Sequence, residues 1–199
     1  RDLAWALLSP QICHLTAPCD PRVWDPSTIT SLLAKLDRHP ATLENCMAQT
    51  RFHRLGIHFE RLLIFFLSHC PEVAEVRNGL RVQGASRTLG EFDIIYRPHG
   101  VDVFTHLEVC VKFYLAPRQT GEGDWLGLNP KDRLSTKVSR MLSHQLRLSE
   151  LPEAKEVLRR QEIEIGKTLS IFRGRLFYPW EAYQARQFEY PAELHSQHL

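Results

Sequence analysis

The sequence predicts an α/β sandwich with a mixed central sheet. Three observations point to it: helical apolar spacing over 50–69, two stretches dense in β-branched and aromatic residues at 88–96 and 106–114, and a second amphipathic helix at 129–148 followed by strand propensity at 168–172 and 176–178. The order helix, meander of two or three strands, helix, strand buries a sheet between helical layers.

Residues 1–26 carry four prolines and read as an irregular lead-in. Ser27 then fits an N-cap for a short helix over 28–38, where Ile29, Leu32, Leu33 and Leu36 fall at helical spacing. His39-Pro40 ends it, because the residue before proline avoids the helical region. In the longer helix, Leu55, Phe59, Leu62, Leu63, Phe66 and Leu67 form a stripe that needs a broad partner, and a sheet supplies one. Residues 73–76 and 80–83 read as two short strands or one strand bent at Asn78-Gly79, ahead of the two long strands. Residues 118–129 are glycine-rich and polar around Trp125, a loop long enough to border a site. The second long helix starts with Asn129 as N-cap, Pro130 in its first turn and Asp132 near its positive end. Leu134, Val138, Met141, Leu142 and Leu148 form its buried stripe, and Pro152 marks its end.

A chain of 199 residues buries a core without disulfides or a structural metal. The longest apolar run, 62–67, is far too short to span a bilayer, and no basic segment followed by a hydrophobic core opens the chain, so a soluble, cytoplasmic protein is expected. Five cysteines without a C-x-x-C pair fit reduced thiols. The formal net charge of +2 demonstrates no polyanion partner, so a nucleic-acid role rests on where the charges lie. The chain starts at Arg1 rather than a methionine, which fits a fragment or ordered portion of something longer.

Ionisable side chains concentrate in the two long strands. Strict alternation puts Glu91 and Asp93 on one face of the first, and Glu108, Cys110 and Lys112 on one face of the second. Residues 98–102 have turn composition. Closing them as an antiparallel hairpin sets Asp93 opposite Glu108 and Glu91 opposite Cys110, a register that a slip of one residue would undo. Three acids facing one base repel unless a cation intervenes.

Gly56-Ile57-His58-Phe59-Glu60, Gly90-Glu91-Phe92-Asp93, Glu108 through Leu115, and Asn129 through Leu148 with His144-Gln145-Leu146 together resemble the PD-(D/E)XK nuclease superfamily. More closely, 50–150 is similar to an uncharacterised bacterial domain-of-unknown-function family placed in that superfamily. The resemblance implies a restriction-endonuclease-like sandwich over 49–199 with an N-terminal helical extension over 1–48. It also implies a Mg²⁺- or Mn²⁺-dependent nuclease in which Asp93 and a strand carboxylate bind metal while Lys112 orients or deprotonates the attacking water. Magnesium needs few protein ligands, since it keeps several waters, and it stabilises charge on a phosphodiester under attack. One departure matters. The acid normally two residues before the lysine is Cys110 here, and Glu108 lies a further strand pair back, about 6.6 Å away. Glu91, or Glu60 from the helix, is then a substitute ligand.

Plainer readings stand beside these. Asp93 and Lys112 also suit a cross-strand salt bridge, Cys110 a buried filler, Glu60 an ion pair with Arg54 or Arg61, and Gln145 either a backbone cap or a substrate contact. Arg133, Lys137, Arg140, His144 and Arg147 draw a basic stripe on the second long helix, and Arg51, Arg54, His58 and Arg61 another on the first. Each alone is an ordinary solvated face, whereas two flanking an acidic site would position a nucleic-acid backbone, DNA or RNA. His53 and His58 are five apart and do not share a helical face as a zinc pair would, and no glycine-rich phosphate loop or G-x-S-x-G elbow occurs. The expected function is a metal-dependent nuclease. The alternatives are a catalytically inactive nuclease-like module that binds nucleic acid or a protein partner, and a protein-interaction domain with no nucleic-acid role.

Overall fold

The computed structural model describes residues 1–13, 15–16, 23–48, 54–117 and 124–187. Its centre is a four-stranded sheet in the order β1 (Val73–Gln83), β2 (Thr88–Pro98), β3 (Phe104–Leu115), β4 (Ile165–Phe177). The first three strands are antiparallel neighbours and β4 lies parallel to β3, so the sheet is mixed. A parallel neighbour demands a long crossover. That crossover carries α5 (Leu134–Ser143), a 3₁₀ segment (Gln145–Glu150) and α6 (Pro152–Arg160).

Helices cover both faces. On one, α4 (Leu55–His69) buries Phe59, Leu62, Leu63, Phe66 and Leu67 against Ile94, Tyr96, Leu107, Val111, Leu169 and Ile171. The helices α1 (Asp2–Leu8) and α2 (Pro26–Arg38) add Leu3, Ala6, Leu7, Ile29 and Leu36 to the same core, and α3 (Ala41–Ala48) lies on its border. On the other face, Leu134, Val138 and Met141 of α5 pack on Cys110, Tyr114 and Phe172, while Leu148, Ala154 and Leu158 pack on Val82, Phe92, Ile95 and Phe104.

Several expectations need correction. The lead-in is not wholly irregular, since Asp2–Leu8 is helical with three apolar side chains buried. The cap of α2 is Asp25, whose carboxylate accepts from the backbone N–H groups of Ser27 and Thr28, with Pro26 in the first turn. Of the two forms expected for 73–83, the single strand is the one present, with Gly79 at φ 67°. The helix expected to run from 129 to 148 ends at Ser143. His144 leaves helical geometry at φ −135°, Leu148 belongs to the 3₁₀ segment, and Leu142 is 46% exposed. Asn129 caps a turn through Lys131 N–H rather than a helix. Pro152 starts α6 instead of closing its predecessor, the other use of a residue that lacks an N–H. The short helices α3 and α7 (Trp180–Gln184) had no sequence counterpart. Residue 50, where α4 was expected to begin, lies outside the described residues.

The open edge of β4 is covered by the segment that follows α1. Ile12 N–H donates to Phe172 O at 2.8 Å, Gln11 Oε1 accepts from Phe172 N–H at 2.9 Å, and Thr16 Oγ1 accepts from Ser170 N–H at 3.0 Å. An edge so occupied no longer offers a template for pairing with another chain. Arg173 of β4 reaches the last carbonyls of α1, Ala6 O at 3.3 Å and Leu7 O at 3.1 Å, tying that helix to the sheet.

Gly174 sits opposite Lys112 at φ 155°, and a Cβ there would lie 1.7 Å from Lys112 O. Both the backbone conformation and the close approach require glycine. Gly174→Ala is therefore expected to cost at least about 2 kcal/mol, lowering the thermal midpoint by about 4 °C or more. An unchanged midpoint by calorimetry would refute this packing.

Candidate active site at the parting of β2 and β3

The hairpin register is the expected one. Ile94 pairs with Leu107, Ile95 with His106 and Tyr96 with Thr105, which sets Asp93 next in line opposite Glu108. There the backbone ladder stops. In place of a strand carbonyl, Asp93 Oδ2 accepts from Val109 N–H at 3.0 Å, so a side chain takes up the donor that the parting strand leaves behind.

Side-chain alternation also breaks at Asp93. Phe92 joins the α6-side core and Ile94 the α4-side core, although residues two apart in a regular strand share a face. Gly79, with its positive φ, lies across β1 at this level. The expectation that Glu91 and Asp93 share a face rested on unbroken alternation, which does not hold across Phe92 and Ile94. Glu91 pairs with Arg81 at 2.9 Å and is 41% exposed.

Glu108 is almost completely buried. Its Oε1 accepts from Gln145 Nε2, and Lys137 Nζ donates to Gln145 Oε1 at 2.8 Å, so a relay runs from α5 through the 3₁₀ segment to the carboxylate. Among the described residues, Glu108 Oε2 has no hydrogen-bond partner, and neither ring nitrogen of buried His106 has one. His106 Nε2 lies 3.5 Å from Glu108 Oε2, but the two do not form an ion pair, because burial pushes His106 down to about 4 and the ring is neutral near pH 7. The ring packs edge-on against Phe92 at 4.8 Å.

Burial, then the charge of Glu108, pushes Asp93 up to about 7. Burial also raises Glu108 to about 7, while Lys137, hydrogen bonding with Asp93, Arg140 and Gln145 pull the other way. Glu60, half-buried on α4, rises to about 7 through burial and then the charges of Asp93, Glu91 and Glu108. The parting of the strands is thus lined by Glu60 from one helical layer and by Lys137 and Gln145 from the other.

Lys112 is not at this pair. It is bound to Asp132, which also accepts from Tyr114 at 3.4 Å, so the acid expected at a helix start instead holds the expected catalytic lysine. The ammonium that acts on Asp93 and Glu108 is that of Lys137. Cys110 lies in the α5 core, where burial pushes its thiol up to about 12, so it is a filler rather than a nucleophile. Among the described residues no group of three or more His, Cys, Asp or Glu is arranged to hold a metal ion.

The basic stripe on the second long helix is shorter than expected. Arg133 precedes α5, Lys137 and Arg140 lie on it within reach of Glu108, and His144 ends it. Arg147 falls in the 3₁₀ segment, paired with Glu150 at 2.7 Å. On α4, Arg54 is exposed ahead of the first turn, Arg61 acts on Glu60, and His58 binds Asp2 at 3.1 Å; Arg51 and His53 lie outside the described residues.

A family described as a domain of unknown function, DUF1853, matches residues 1–199. The chain belongs to this family. No curated protein and no solved structure matches it. Among the described residues of this DUF1853 chain, no helix is long and apolar enough to cross a membrane. His106 and Asp132 are the site residues that sequence reasoning missed. His106 stood in plain view, two residues before Glu108 on the same strand face, but nothing in a sequence shows that both its ring nitrogens are left without partners.

The raised carboxyl values set the sign of a pH effect. Asp93, Glu108 and Glu60 bind protons more tightly folded than unfolded, so the stability they contribute is full below about pH 4 and is lost as pH rises through about 7. Asp93→Asn removes one half-buried charge and keeps an acceptor for Val109 N–H. Its thermal midpoint relative to wild type is expected to climb between about pH 5 and pH 8 in metal-free buffer. A difference that stays flat across that range would contradict the burial of an ionisable Asp93.

Proposed function

We propose that this chain is a metal-dependent nuclease of the PD-(D/E)XK type, with a restriction-endonuclease-like fold, that hydrolyses phosphodiester bonds of nucleic acid. The observation that carries the reading is the Asp93–Glu108 opposition, a half-buried and a buried carboxyl across parting strands with one oxygen, Glu108 Oε2, making no hydrogen bond among the described residues. Hard carboxylate oxygens suit Mg²⁺ or Mn²⁺, and two of them suffice for an ion that keeps several waters. Asp93 and Glu108 would hold the ion, Glu60 would lie in its outer surroundings, and Glu91 is drawn away by Arg81. When bound, the ion would stabilise charge on the phosphoryl oxygens and make a coordinated water more acidic.

The chain's own groups supply the rest. Lys137 sets an ammonium beside the carboxyl pair and, through Gln145, fixes the orientation of Glu108. In a low-dielectric site an ammonium so oriented stabilises an anionic transition state without reorganising. Lys112, neutralised by Asp132, is further from that work. Arg140 and Arg133 continue the positive surface outward along α5, where a phosphate backbone would lie.

A second reading is a module of the same origin without catalysis, binding nucleic acid or a protein partner. It is favoured by Cys110 in the place of an acid and by the capture of Lys112. Metal binding separates the two. Titration calorimetry with Mn²⁺ is expected to show one weak site in wild type, lost in Asp93→Asn and Glu108→Gln. Because the ion must displace protons, its affinity should rise with pH up to about 7 and then level off. Cleavage of labelled DNA and RNA should fall about 100-fold or more in Lys137→Ala and much less in Lys112→Ala. Binding of no metal, or cleavage that survives loss of both carboxylates, would sink the nuclease reading.

A further inference from the structure

A groove over the far ends of β3 and β4 carries chemistry that the carboxyl pair does not use. Trp5 of α1, Phe59 and Leu62 of α4 and Phe113 of β3 line a cavity of about 340 Å³, within the range of roughly 300–1,000 Å³ that takes small ligands or their fragments. Its walls are aromatic. Trp5 meets Phe59 edge-on at 6.2 Å, and Phe113 meets Phe177 edge-on at 6.3 Å, with Phe177 49% exposed beside the groove.

The rim is cationic. Arg1 and Arg175 border the cavity, and neither guanidinium has an acidic partner among the described residues. Asp2, the one carboxylate at the rim among the described residues, is engaged by His58 at 3.1 Å. An aromatic floor with two uncommitted guanidiniums matches a flat apolar ring joined to an anion. A nucleobase with its phosphate has that composition, since every base offers a π-face for stacking and arginine pairs with phosphate oxygens.

We propose that this groove receives the unpaired bases of a single-stranded nucleic acid and leads that strand to Asp93 and Glu108, an inference that rests on the nuclease reading above. A duplex cannot use such a groove, because its bases stack on one another and present only edges to a protein. The path is short. From Phe113 back to Glu108 is five residues of β3, about 17 Å, a few nucleotides of strand. Phe113 and Glu108 lie on opposite faces of β3, but the β2–β3 ladder ends at Ile94 and Leu107, and Glu60, one residue after Phe59 on α4, is close enough to the carboxyl pair beyond that end to feel its charge. A strand on the α4 side would therefore approach the acids past Glu60.

The test is fluorescence anisotropy in metal-free buffer with labelled single-stranded DNA, single-stranded RNA and a matched duplex. Proteins compared are wild type, Arg175→Ala and Phe113→Ala, each first shown to be folded by circular dichroism and thermal melting. Wild type should bind a single strand at least about 10-fold tighter than duplex. Phe113→Ala should weaken strand binding about 5- to 100-fold, the range for loss of one base stack. Arg175→Ala, at an exposed position that folding does not need, should weaken it and flatten its salt dependence. Equal affinity for duplex, or strand binding unchanged in both groove variants, overturns the proposal, as does saturation by adenosine monophosphate with no binding of a strand. The two readings fail separately. Groove-dependent strand binding in a protein that cleaves nothing keeps the groove and removes the chemistry, whereas cleavage indifferent to Phe113 and Arg175 does the reverse.

Discussion

The hydrogen bond from Val109 N–H to Asp93 Oδ2 is the contact on which the rest of the site depends. A backbone donor at the end of a ladder must find a partner or bear the cost of desolvation. Here a carboxylate supplies it, so β2 and β3 can part without leaving Val109 unsatisfied. The parting is what lets side chains from both helical layers meet at one place. Were the ladder to continue, the sheet would be a wall between Glu60 on α4 and Lys137 on α5. The same bond holds Asp93 against Glu108, which turns a satisfied donor into an electrostatic problem.

That problem is only partly solved within the chain. Three carboxyls crowd a site with little solvent, and all are pushed to about 7, burial being the first cause for each. Lys137 and Arg140 temper Glu108, and Gln145 satisfies one of its oxygens, but Glu108 Oε2 remains unpartnered beside a neutral histidine. A fold selected for stability alone would bury apolar groups here, because buried charge is retained at a cost. An arrangement that tolerates such repulsion is the kind that perturbed side chains form at functional sites. The rigid surroundings make the tolerance possible. Fully buried Ile94, Leu107 and Phe92 hold the strands on either side, and Thr16, Gln11 and Ile12 pin the outer strand.

Lysine placement shows how tertiary structure reassigns roles. Lys112 has the sequence position that the nuclease resemblance favours, yet Asp132 draws it toward Tyr114, while Lys137 from α5 points its charge at the acids. An ammonium on a long flexible stem acts wherever its partner is, and spacing along one strand does not say which acid that will be.

Much of the frame was legible in the sequence because it rests on local rules. The stripe of Phe59, Leu62, Leu63, Phe66 and Leu67 implied a helix lying on a sheet, the turn at 98–102 implied a hairpin, and together they placed Asp93 opposite Glu108. What local rules could not supply came from contacts far apart in the chain. Alternation failed at Asp93, where β2 parts from β3 and Gly79 bends the neighbouring strand. The helix after residue 129 was divided at His144 so that Gln145 could meet Glu108. Pro152 opened a helix because the core under Ala154 and Leu158 had room for one. The sequence by itself determined the layers and the pairing of two acids, since periodicity and turn chemistry act between near neighbours. Only the tertiary structure decided the faces, the depth of burial and which cation answers the acids, since these depend on packing between segments that the chain brings together from a distance.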